Sequence, residues 1–181
     1  ANPTNGLYAY YTFEDNTTNT VSGAHNGSGI NTSYVDGVQG SKALKFTSEN
    51  SKLNIPEPLI DRNTFTLSFW VKDLNDGHIF SVLSSSNHKY SNILALTNGQ
   101  LKYIQSGWSL WNDWNDEEET PLFIHSTLSS EWHHITITSN YVSMNKTEVC
   151  LYIDGEYIDR TTLQNQGGSS SGHGVGTKFV F

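Results

Sequence analysis

The chain has 181 residues and a net charge of −8; 35% of it is hydrophobic and only 15% charged. Ser, Thr and Asn together number 58, with 22 aromatics, a composition that competes with helical backbone bonding and suits pleated, half-buried surfaces. It argues against helical bundles and coiled coils. The acidic balance and ten scattered basic residues argue against nucleic-acid partners, and no stretch approaches the ~20 apolar residues of a membrane-inserted span.

Period-two alternation predicts strands at Leu7–Phe13, Ala43–Thr47 and Thr64–Lys72. In the last of these, Phe65, Leu67, Phe69 and Val71 share one face, and Thr66, Ser68, Trp70 and Lys72 the other. His78–Leu83 follows, then the hairpin NILALT–Asn98-Gly99–QLKYIQ, whose Asn-Gly pair suits a type I′ turn. Gln105–Pro121 is a long polar loop containing Trp108, Trp111 and Trp114. Trp132–Ser139 and a second hairpin, turning at Asp154-Gly155, come next. A Gly/Ser-rich stretch, Gln166–Gly176, leads to a final strand at Lys178–Phe181. Many short strands without a helical period predict an all-β fold, a two-sheet antiparallel β-sandwich of jelly-roll type, as a single domain over 1–181. The lone Cys150 cannot form an intramolecular disulfide and reads as a strand residue.

Several of these segments resemble a known family. GLYAYYTFEDNTTNTVSGAHNG is similar to the opening of the LamG-like branch of the concanavalin A-like lectin/glucanase superfamily, and GSKALKF, TFTLSFWVK, WHHITIT and LYIDGEYI follow in family order. The resemblance implies a concanavalin A-like jelly roll of the kind found in extracellular lectins, laminin G modules and accessory modules of polysaccharide-degrading enzymes. It also implies a structural Ca2+ near the opening strand. The family's usual closing strand, which reads like D-E-V-R-I-Y, has no match at Thr177–Phe181. Trp70 and Trp132 fall within matching segments and are read as framework residues.

Calcium needs six to eight oxygen ligands, and the turn Glu14-Asp15-Asn16-Thr17-Thr18-Asn19 offers carboxylates and amides. Glu14, Asp15 and Asn19 are the candidate metal ligands, Glu14 and Asn19 falling where the family places acidic residues. Carbohydrate recognition asks for aromatic faces that stack on a sugar ring and planar polar groups for its hydroxyls. Trp108, Trp111 and Trp114 supply the first, and Asn112 and Asp113 the second, backed by Asn115 and Asp116. Ser84–Tyr90 is a second polar patch. His133 and His134 are adjacent on a strand, so they point to opposite faces.

Glucanase members of the superfamily carry a motif like E-x-D-x-x-E on one strand face, and this chain has none. Asp154-Gly155-Glu156-Tyr157-Ile158-Asp159 comes nearest, but a turn interrupts it. No catalytic residues are assigned, and the chain is expected not to be an enzyme. The preferred reading is a non-catalytic carbohydrate-binding module of a secreted or cell-envelope protein, with a glycan or polysaccharide as partner. A laminin G-type module with a protein partner is the second reading, and a glucanase-like hydrolase the third.

Overall fold

A computed structural model describes residues 6–21, 25–38, 40–56, 64–84, 90–105, 121–125, 128–143, 146–164 and 176–181. Among them are thirteen strands. The first four are β1 (Ser28–Ile30), β2 (Thr32–Asp36), β3 (Lys42–Phe46) and β4 (Lys52–Ile55). β5 (Phe65–Val71), β6 (Gly77–Ser84), β7 (Tyr90–Thr97) and β8 (Gln100–Gln105) follow. The chain continues through β9 (Pro121–His125), β10 (His133–Ser143), β11 (Lys146–Ile153), β12 (Glu156–Gln164) and β13 (Gly176–Val180).

These strands make a seven-stranded sheet ordered β1-β4-β13-β6-β7-β8-β9, a four-stranded sheet ordered β12-β11-β10-β5, and a β2-β3 ribbon. All the pairings are antiparallel. The all-β sandwich follows from the alternation. Ile135 and Ile137 of β10 and Val149 and Leu151 of β11 are fully buried, as are Leu53 and Ile55 of β4, Phe80 of β6 and Leu101 of β8. Together they form one apolar core between the sheets, against which Phe65, Leu67, Phe69 and Val71 of β5 pack. Tyr103 lies within this core, and its burial drives the phenol pKa upward.

Both predicted hairpin turns are present. Asn98 and Gly99 have φ of 50° and 71°, and Asp154 and Gly155 of 54° and 83°, the consecutive positive angles a type I′ turn requires. Asp76 caps the first by accepting from the N–H groups of Asn98 (2.9 Å) and Gly99 (3.1 Å).

Two local differences from the sequence reading stand out. Leu7–Phe13 alternates like a strand but makes one isolated bridge, Tyr11 to Asn19, because positive φ at Phe13 and Asp15 bends the chain back. The C-terminal segment, which lacks the family's closing motif, nevertheless forms β13 in the middle of the large sheet, between β4 and β6. Phe181 extends that pairing by exchanging backbone hydrogen bonds with Leu53 (2.8 and 3.0 Å).

Candidate functional site

The outward face of the four-stranded sheet is built by the residues that alternate with the core. In β5 these are Thr66, Ser68 and Trp70; in β10 they are His134, Thr136 and Thr138. Register places His134 opposite Trp70 and Thr136 between Ser68 and Tyr152, with Tyr157 of β12 opposite Tyr152. The two-residue turn at Asp154-Gly155 sets this pairing, and a β-bulge follows it between Tyr157 and Asp159.

Trp70 is 36% exposed and Tyr157 54%. The indole lies 4.9 Å from the His134 ring, tilted by 47°, and Ser68 Oγ holds His134 Nε2 at 2.7 Å. Tyr152 and Tyr157 meet edge-to-face at 5.8 Å. The Trp70 side chain thus belongs to an aromatic and hydroxyl-bearing surface of the framework strand β5. At about 4.8 Å per strand, the row from β5 to β12 is roughly 14 Å wide.

The same end of the sheet carries a polar cluster. Asp154 Oδ2 lies 2.7 Å from His133 Nδ1, and Asp154 Oδ1 accepts from the His134 N–H at 2.8 Å. His133 Nε2 lies 2.8 Å from Ser129 Oγ, which also accepts from the Glu131 N–H at 3.3 Å. The His134 N–H, and then the His133 ring, hold the Asp154 carboxyl below its usual pKa of 3.8. The predicted opposition of His133 and His134 holds: one ring joins Asp154 and Ser129, the other joins Trp70 and Ser68. Beside Ser129 is a partly open cavity of about 250 Å3 lined by Asp73, Leu74, Asn75, Leu128, Ser129 and Ser130.

The opening turn is arranged differently from a ligand shell. Glu14 Oε1 accepts from the N–H groups of Ser41 (2.9 Å) and Lys42 (3.2 Å), and Oε2 accepts from Ser41 Oγ (2.5 Å). These bonds, that of the Ser41 hydroxyl foremost, lower the Glu14 pKa. Asn19 is fully buried, and its Oδ1 accepts from the N–H groups of Tyr10 and Val21, both at 3.1 Å. An oxygen engaged this way faces the positive ends of N–H dipoles, a poor setting for a cation. Glu14 and Asn19 thus fasten separate parts of the turn by accepting from protein donors. Among the described residues no group of three His, Cys, Asp or Glu side chains could hold a metal ion. Nearby, Tyr11 donates to the His25 carbonyl at 2.5 Å, and burial pushes its pKa up to about 12.

Trp108, Trp111, Asn112, Asp113 and Trp114, with Asn115 and Asp116, lie outside the described residues. So do Ser85–Lys89 of the second polar patch.

A sequence model described as the concanavalin A-like lectin/glucanase superfamily matches residues 46–176. The chain belongs to that superfamily. No curated protein matches it in sequence. Among solved structures it is similar to the binding domain of Paraclostridial Mosquitocidal Protein 1, at 21% identity and TM-score 0.57, covering 96% of this chain and 46% of that one. It is similar also to the botulinum neurotoxin serotype D binding domain, at 18% identity and TM-score 0.62, covering 97% of this chain and 42% of that one. It therefore spans less than half the length of either toxin domain. A third similar structure is a carbohydrate esterase of Shiga toxin-encoding bacteriophage phi24B, at 14% identity and TM-score 0.51, covering 86% and 79% of the two chains. At these identities the likeness is one of fold.

Proposed function

We propose that the chain is a carbohydrate-binding module of a secreted or cell-envelope protein, holding a glycan without cleaving its glycosidic bonds. The observation that carries this reading is the aromatic surface of exposed Trp70 and Tyr157 with half-buried Tyr152, interleaved with Ser68, Thr136 and His134 on one sheet face. Aromatic rings offer large contact area at low entropy cost, and the adjacent hydroxyl and imidazole groups suit sugar hydroxyls. The superfamily, which by its description includes lectins, is consistent with this role, as are the two toxin structures, each described as a binding domain. The Trp108–Trp114 segment is a second candidate contact in the same reading.

The test is a glycan array followed by titration under tryptophan fluorescence. Trp70→Ala is expected to weaken binding about tenfold, matching the upper end of an aromatic contact worth about 0.5–1.5 kcal/mol, with melting unchanged. Trp111→Ala tests the loop separately. Silence across a broad glycan panel, together with stoichiometric binding of a purified extracellular protein, would replace this reading with the laminin G-type one.

A further inference from the structure

Ser129, His133 and Asp154 form one continuous hydrogen-bonded chain, with links of 2.8 and 2.7 Å. The order of groups is that of a nucleophile, a base and an orienting carboxylate, recognised by geometry and not by sequence position. The ionised Asp154 accepts, which fixes the His133 proton on Nδ1 and leaves the Nε2 lone pair facing the Ser129 hydroxyl. The contact from the Glu131 N–H orients the Ser129 oxygen, so that its proton is directed at His133. A structural tie between β10 and the β11–β12 turn needs only His133 and Asp154. The third member stands on the wall of the 250 Å3 cavity.

We propose that Ser129 is an activated nucleophile and that this end of the sandwich hydrolyses small neutral acyl esters. His133 Nε2 removes the Ser129 proton as Oγ bonds to the acyl carbonyl carbon and the carbonyl electron pair moves onto oxygen. The intermediate collapses, the bond from carbon to the alcohol oxygen breaks, and the alcohol leaves with the proton held on Nε2. Water, deprotonated by the same nitrogen, then attacks the acyl-serine, releasing a carboxylic acid and restoring the Ser129 hydroxyl. One ester and one water become one alcohol and one acid, and no other reactant is needed. Ser130, directly after the nucleophile, lines the same cavity, and its backbone N–H is the oxyanion donor the proposal assigns.

The cavity lies below the roughly 300–1,000 Å3 of pockets that enclose drug-sized ligands, so it fits an acyl group and not a whole polymer. Leu74 and Leu128 give it an apolar wall, while the Asp73 carboxylate and the overall charge of −8 disfavour anionic esters. With Asp154 47% exposed, the relay is more solvated than that of a fast hydrolase, and slow turnover is expected.

The purified chain is treated with a fluorophosphonate probe, the modified peptide is mapped by mass spectrometry, and 4-nitrophenyl acetate hydrolysis is followed across pH. The expected result is labelling of Ser129, loss of turnover in Ser129→Ala, and at least tenfold slower labelling in His133→Gln. Ser33→Ala, at an exposed serine of β2, is expected to leave both readouts unchanged. Asp154→Asn serves as the second relay variant if His133→Gln lowers the melting temperature sharply. An unlabelled Ser129 in folded protein, turnover that survives Ser129→Ala, or labelling indifferent to both relay variants would overturn the proposal and leave the chain as a structural tie.

Discussion

Asp154 has three tasks in one residue, and two substitutions separate them. Its carboxylate receives the His133 ring and the His134 N–H, its own N–H donates to the His134 carbonyl at 2.8 Å, and its backbone sits at φ 54°. Asp154→Asn keeps a side chain that tolerates left-handed backbone and retains one acceptor oxygen, so it removes chiefly the charge. For a half-exposed pair that is worth about 1 kcal/mol or less. Asp154→Ala removes the acceptors, about 1 kcal/mol for an exposed cap, and with them the local hydrogen bonding that lets Asp tolerate the left-handed region, about 1–2 kcal/mol more. The expected losses are therefore about 2–3 kcal/mol for Ala and 1 kcal/mol or less for Asn, readable by urea denaturation. At roughly 2–4 °C per kcal/mol for a domain of this size, both are also visible in the melting temperature. A pH series adds a signed test. Because the folded pKa of Asp154 is depressed, its stabilisation is complete above the ordinary carboxylate pKa and disappears as pH falls through the folded value. The advantage of the native residue over Asn should shrink in that acid window. Equal losses for Asn and Ala, or an advantage that persists unchanged at pH 2, would refute the reasoning.

Leu151 is fully buried at the centre of β11, and Leu151→Ala is expected to cost about 2–5 kcal/mol by denaturant titration. Glu14→Gln is expected to lower the melting temperature near neutral pH by weakening the tie to Ser41 and Lys42, with the same shift in calcium and in chelator. A shift that appears only with calcium would support the metal reading of that turn. Gly40 has φ +82° and a Cβ there would run into Glu14 Oε1, so Gly40→Ala should destabilise by at least the 1–2 kcal/mol of left-handed backbone, checked the same way.

The alternation of TFTLSFWVK sorted β5 into its two faces, and the Asn-Gly and Asp-Gly pairs placed two turns, because both depend on neighbours in sequence. Leu7–Phe13 shows where that ends: the same alternation yields no strand, since positive φ at Phe13 and Asp15 diverts the chain. Trp70 was grouped with hydroxyl residues by the same pattern, yet its place on an aromatic surface depends on Tyr152 and Tyr157, 82 and 87 positions later, and on strand pairings that periodicity does not reveal. Likewise WHH and IDG are each legible as strand and turn, but the link from His133 to Asp154 exists only because β10 and β11 pair in one register. From the turn's own composition Glu14 and Asn19 read as calcium ligands, whereas their hydrogen-bond partners, Ser41 and the Tyr10 backbone, lie outside that turn and are not legible in it.

The position of β13 bears on how the molecule comes to exist. Strands β4 and β6 are neighbours of β13 and not of each other, so the seven-stranded sheet stays split into two parts until residues 176–180 have been made. Until then each part presents an unpaired inner edge, the kind of surface that invites pairing with another chain. A strand made well after both of its neighbours thus joins the halves, and assembly of the sandwich is expected to be slow and sensitive to crowding by its own kind.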